Sequence, residues 1–328
     1  MEPRPVLRRP PIASAEHGLR LLKPALNRDI LTTLEKEGPQ TLTALSALCA
    51  THSTLRQHLG ELIEAGAVAE GGTARAREFS LADTGRHLAK LIRAIEGWLR
   101  SEFAPEHVSM AAGWRIFGEL GDTWKAVLLE WIVRCRPGPD DLGDGFAGAT
   151  GRKLKEEFEM LRASGLVELS KDGERFSLTR WGAQAIGVLA EIARWEQIHM
   201  PGRAAPIAPD DALVAMLAAL PILRLDKDLV GLCTLSAERE TGDDGRPRIA
   251  AVWAEFRHGR VVKLAEGRPP GPADAWVSGP FSAWLSAVLD GRLRALNCAG
   301  KDGYRELAEA VVAELHAKLT GFRTKGSP

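Results

Sequence analysis

Apolar residues recur at three- and four-residue spacing from Gly18 onward, at Leu21, Leu22, Leu26, Ile30, Leu31 and Leu34, until Gly38-Pro39 stops the run. This is the period of an amphipathic helix, and Pro24 falls near a helix start. A short segment from Thr41 to Ala50 places Leu42, Leu45 and Leu48 inward. The string ATHSTLRQHLGELIEAG then predicts a helix with Thr51 or Ser53 as N-cap and Gly66 as C-cap. Two short strands follow, around Val68 and around Phe79-Ser80-Leu81, with the hairpin tip at Gly71-Gly72. Asp83 or Thr84 caps a last helix that runs through Leu88, Leu91, Ile92 and Ile95 to Trp98.

The same order then returns. Trp124 to Val133 is helical in pattern, Pro137 to Gly148 is irregular and rich in glycine, proline and aspartate, and Thr150 to Ser164 is helical again. A hairpin turning at Lys171-Asp172-Gly173 leads into a helix from Trp181 to His199. Gly66 matches Gly165 at an offset of 99 residues, while Phe79-Ser80-Leu81 matches Phe176-Ser177-Leu178 and Trp98 matches Trp195 at 97. The two-residue change falls between the strands, where a hairpin tip tolerates it. The expected organisation is a flexible Pro/Arg-rich arm (1–17), a first copy (18–105), a second copy (106–202), a linker (203–209), a third unit (210–323) and a tail (324–328).

In the third unit the period changes to that of strands. VGLCTLSAER, PRIAAVWAEFR and RVVKLAEG are apolar runs divided by turn signals. AWVSG reads as a strand, FSAWLSAVLDG as a helix, LRALNCAG as a strand and GYRELAEAVVAELHAKLTGF as a closing amphipathic helix. The pattern predicts an α+β unit with a mostly antiparallel sheet. The whole chain is then mainly α with an α+β part: two tandem helix-hairpin-helix domains and an α+β domain.

Helix, turn, second helix and two-stranded hairpin resemble the winged helix-turn-helix, and within that class both copies resemble the HxlR family of bacterial regulators. The likeness rests on Gly121-Asp122-Thr123-Trp124 leading into Leu128-Leu129, and on the spaced leucine-glycine strings Leu62 to Val68 and Leu161 to Val167. FSLT with its following glycine at Phe176 to Gly182, and the terminal Trp98 and Trp195, complete it. The first copy departs from the pattern with Ala25 where Trp124 stands in the second. The resemblance implies that the second helix of each copy enters the major groove of double-stranded DNA. In the first copy its exposed start carries His52, Ser53, Thr54, Arg56 and Gln57; in the second, Thr150, Arg152, Lys153 and Lys155. Arginine and glutamine offer two hydrogen-bonding atoms to a base edge, whereas the more cationic second set suits phosphates. Arg75 and Arg77 on the first wing are candidates for the minor groove. Glu156, Glu157, Asp172 and Glu174 oppose DNA at the second copy. HxlR-type proteins resemble one another in pairing two subunits through their terminal helices. With both such helices in one chain, the repeats are expected to form an internal pseudo-dimer, or the chain a homodimer.

The last third resembles the sterol carrier protein type two fold, on ADAWVSGPFSAWLSAVLDG and LRALNCAGKDGYRELAEAVVAEL. That resemblance implies an apolar ligand tunnel, for which Trp253, Phe256, Trp276, Phe281, Trp284, Leu285 and Val288 are the candidate lining and a hydrophobic small-molecule effector the candidate ligand.

With 328 residues, 45% of them hydrophobic, the chain has material for three cores. Lys+Arg and Asp+Glu both total 43, so any nucleic-acid affinity must come from local patches such as the arginines before Asp29. No apolar run reaches membrane-spanning length and the first residues have no signal-peptide core, so a cytoplasmic protein without a membrane partner is expected. Cys49, Cys135, Cys233 and Cys298 form no C-x-x-C pair, and His52 and His58 lie six apart, a spacing unsuited to one metal face. G-x-S-x-G, H-E-x-x-H, Walker and dinucleotide fingerprints are missing, so no catalysis, metal or cofactor is expected. The expected function is a ligand-responsive transcriptional regulator, more readily a repressor. The alternative is a protein that sequesters a small molecule and uses its winged helices for assembly.

Overall fold

The computed structural model describes residues 15–73, 76–120, 132–133, 138–139, 151–170, 172–202, 209–238 and 249–320. The first copy contains α1 (Glu16–Leu22), α2 (Ala25–Glu37), β1 (Gln40–Thr41), α3 (Leu42–Leu45), α4 (His52–Glu64), β2 (Val68–Thr73), β3 (Ala76–Leu81) and α5 (Asp83–Leu99). Pro24, extended at φ −67° and ψ 128°, divides α1 from α2; its ring lacks the N–H that a continuous helix would need there. Helix α1 therefore begins inside the stretch expected as a flexible arm. Thr51 caps α4 by accepting from Thr54 N, and Gly66 reverses the chain at φ +69°. The hairpin pairs without interruption from Val68↔Leu81 to Thr73↔Ala76, so Gly71 and Gly72 lie within β2 and not at the tip expected for them. Strand β1, which periodicity missed, adds a third strand through Gln40↔Phe79 and Thr41↔Glu78. Ala82 is the N-cap of α5 and offers no side-chain hydrogen bond, in place of the expected Asp83 or Thr84.

The second copy contributes α6 (Met110–Leu120), α7 (Gly151–Ala163), a short hairpin of β4 (Val167–Leu169) and β5 (Phe176–Leu178), and α8 (Arg180–His199). The Trp124 helix, apart from a helical Ile132-Val133, and most of the irregular segment lie outside the described residues. Side chains of both copies join one apolar core, from Leu19 through Trp98 to Trp195.

A second core belongs to the last third. It contains α9 (Pro209–Ala219), for which the sequence pattern predicts no element, then β6 (Gly231–Glu238), β7 (Ile249–Arg257), β8 (Arg260–Glu266), β9 (Ala275–Pro280), α10 (Phe281–Asp290), β10 (Asn297–Gly300) and α11 (Arg305–Thr320). Strand order is β10-β9-β6-β7-β8, with only β6 and β9 parallel among these neighbours. Helices α9, α10 and α11 pack on the face that carries Cys233, Leu235, Val252, Ala254 and Val277. The fold is thus mixed α and β, and among the described residues no helix is long and apolar enough to cross a membrane.

Candidate nucleic-acid interface

The two copies repeat each other down to single atoms. Ala82 N donates to Ala67 O at 3.0 Å, and at the matching place Thr179 N donates to Leu166 O at 3.0 Å. A Cβ on Gly85 would lie 2.0 Å from Ala67 O, and one on Gly182 2.2 Å from Leu166 O. In both copies only a glycine lets the last helix start so close to the hairpin's first residue.

These last helices, α5 and α8, pack on each other in a reciprocal manner. Trp98 Nε1 donates to Trp181 O at 3.0 Å, and Trp195 Nε1 donates to Thr84 O at 3.2 Å. The 97-residue offset that carries Trp98 onto Trp195 also carries Thr84 onto Trp181, so the two bonds are one contact made twice. At one end the indoles of Trp98 and Trp181 stack with centroids 4.6 Å apart, and Trp181 Nε1 returns a bond to Trp98 O at 3.2 Å. At the other end His199 sits 3.1 Å from His87 and 3.2 Å from Thr84 through its two ring nitrogens. The leading helices cross over as well: α1 packs on α8, where a Cβ on Gly18 would lie 2.4 Å from Ile192, and α6 packs on α5, where one on Gly113 would lie 2.7 Å from Leu99.

Helix α4 faces inward with Leu55, Leu59 and Leu62 and exposes His52, Ser53, Thr54, Arg56 and Gln57. All five lie in its first two turns beside the Thr51 cap, where the helix's own N–H groups favour an anion. Gln57 is lightly held by Glu61 at 3.3 Å, and Arg56 pairs with no carboxylate among the described residues. The helix is aimed by a residue no motif reveals. Asn27, fully buried, donates to Leu21 O at 2.9 Å and accepts from His58 Nδ1 at 2.8 Å, tying α1, α2 and α4 together. Of the two hairpin arginines expected to reach DNA, Arg77 is exposed but forms an ion pair with Glu70 at 2.9 Å, while Arg75 lies outside the described residues.

Helix α7 exposes Arg152, Lys153 and Lys155 at the matching start, and Thr150 lies outside the described residues. Its face is mixed, with Glu156 3.7 Å from Arg152. The strands of the second hairpin are half the length of those of the first. Its turn is closed by Asp172, which accepts from Ser170 Oγ and from Glu174 N, so acidic groups stand where the first copy has arginines.

The seven residues expected to line an apolar pocket are divided. Phe256 and Trp284 are fill in the second core, with Trp284 Nε1 donating to Ser236 O at 2.9 Å. Trp253 and Trp276 flank Thr234 on the opposite face of the sheet, where Trp276 is 40% exposed. Strand alternation separates them, since Trp253 and Phe256 are three residues apart and point to opposite sides. Phe281 and Val288 pack partly buried against the core, and Leu285 is half-buried. These side chains therefore form no single ligand wall.

Among the described residues no group of three or more His, Cys, Asp or Glu is placed to hold a metal ion. Cys49, Cys233 and Cys298 are free thiols, and burial pushes the Cys233 thiol up to about 12; Cys135 lies outside the described residues. Compared with protein-family models and with curated protein sequences, the chain matches none.

Proposed function

We propose that the chain is a DNA-binding transcriptional regulator, in which two winged-helix modules are held as an internal pseudo-dimer and a small molecule sets their affinity for an operator. The observation that carries this reading is the doubled tryptophan contact between α5 and α8, which supports taking α4 and α7 as the equivalent, outward-facing helices of one two-fold pair. The first module, with helix, short strand, two further helices and a hairpin paired to that strand, has the order of a winged helix-turn-helix.

The modules have unequal work. Helix α4 offers Arg56 and Gln57 for base edges, while α7 offers cations suited to phosphates beside an acidic, shortened wing. A bipartite operator with one strongly read and one weakly read half-site follows. In a gel-shift assay at near-physiological salt, Arg56→Ala with Gln57→Ala removes specific retention and leaves residual, sequence-independent binding through α7. Unchanged specific retention by a folded double variant would refute the assignment of α4.

A further inference from the structure

Helix α8 is buried nearly all round, between α5 and α1 on one side and α9, α10 and α11 on the other. One stripe of it is nonetheless polar. Arg180, Gln184, Glu191 and Arg194 follow at four-, seven- and three-residue steps with Gly187 between them, which places all five positions on one helical face. At Gly187 the end of α11 closes in: a Cβ there would lie 2.4 Å from Leu319 O. The stripe opens into a cleft of about 1450 Å³ whose other walls come from α2 and α5 of the first copy, the Glu102-Phe103 loop and Ala317-Lys318 of α11. All three units of the chain thus contribute to one cleft.

Among its lining residues, Gln184 and Arg180 each have a polar atom whose hydrogen-bonding capacity the described residues leave unused. Gln184 is 5% exposed, and its Oε1 has no hydrogen-bond partner. One turn before it, Arg180 Nε is also buried and unbonded, while the guanidinium sits over the Phe103 ring with Cζ 3.6 Å from the centroid. Burial lowers the basicity of Arg180, with Arg224 acting in the same direction and Glu102 and Glu314 against it. Unmade buried hydrogen bonds are costly, and a ligand that completes them recovers that cost. A guanidinium stacked on a ring keeps its Nε–Nη edge available for a side-on, two-bond grip on a carboxylate.

We propose that this cleft is the effector site, and that Arg180 and Gln184 take an aromatic carboxylate carrying a hydroxyl or N–H donor. The carboxylate bonds to the edge of Arg180 at Nε and Nη, the ligand's donor bonds to Gln184 Oε1, and its flat body lies against the apolar wall at Leu91 and Ala94. Because the walls belong to both winged modules and to the C-terminal unit, occupancy changes the relative stability of their arrangements. This inference rests on the regulator reading for its consequence, but the binding site itself does not depend on it.

The test is ligand-observed NMR on the full chain without DNA, followed by calorimetry of the hits. The panel holds hydroxy- and amino-substituted benzoates, naphthoates and cinnamates, each beside its carboxamide. The expected result is that acids bind, amides do not, and Arg180→Lys and Gln184→Leu each weaken the hits at least tenfold while unfolding cooperatively like the wild type. Arg180→Lys keeps the charge and loses the side-on edge, so it separates recognition from loss of fold. No acid binding at millimolar concentration, or hits held equally by both variants, overturns the site. Arginine-dependent binding by a protein that retains no DNA would leave the site standing and refute the regulator reading.

Discussion

Glu196 is the residue whose replacement tests the packing of the paired copies most sharply. It lies on α8, is 1% exposed, and accepts a hydrogen bond from Gly18 N at 2.6 Å, so it latches α1 of the first copy to the last helix of the second. Burial pushes its carboxyl from 4.5 up to about 7, with Glu16 adding to the rise and the N–H groups of Gly18 and His17 and the charge of Arg20 opposing it. Between pH 4.5 and about 7 the folded chain therefore holds a proton that the unfolded chain has released. Stability from this group is fully present below pH 4.5 and is lost as pH rises through about 7. That difference corresponds to about 3 kcal/mol at most, of which about 2 kcal/mol is lost above pH 5. Glu196→Gln keeps the acceptor and removes the titration. Urea unfolding at a series of pH values from 5 to 8 should show the wild type losing about 2 kcal/mol relative to the variant across the range, with the variant the more stable at pH 8. Parallel pH profiles for the two proteins would refute the burial of this carboxyl and the α1–α8 latch with it.

Trp98→Ala and Trp195→Ala should each cost about 3–5 kcal/mol in denaturant unfolding and loosen both copies together, because the two side chains share one core; loss of only the mutated copy's structure would contradict the shared core. Gly182→Ala, whose Cβ would meet Leu166 O at 2.2 Å, should cost about 1–3 kcal/mol, whereas Gly60→Ala on the open side of α4 should gain about 0.5–1 kcal/mol, both read from thermal unfolding. Arg152→Ala with Lys155→Ala should weaken all DNA sequences alike and reduce the salt slope of binding by about 2, as expected for two phosphate contacts.

Much of this was readable before any coordinates. The 97-residue match of Trp98 and Trp195 marked two equivalent helix ends, and the resemblance to the HxlR family added the expectation that those helices pair. The atom-level reciprocity was not readable, since nothing in a periodicity says that Thr84 and Trp181 supply the carbonyls. Strand β1 escaped because two residues have no period, and α9 because its alanines and leucines make it apolar without a face. Asn27 carries no motif; its importance comes from meeting His58 across 31 residues. The aromatic residues of the C-terminal unit were counted by type, but their placement follows from strand parity, which puts Trp253 and Phe256 on opposite sides of the sheet. The cleft beside α8 could not be anticipated because its walls come from three separated stretches of chain.

The most direct test of the paired-module account is selection of bound fragments from random duplex DNA by the purified full chain at near-physiological salt. The account predicts enrichment of a bipartite motif with unequal halves about one helical turn, roughly 34 Å, apart, bound by a single chain. Recovery of no motif from folded protein, or of a site protected as four equal half-sites, would contradict it.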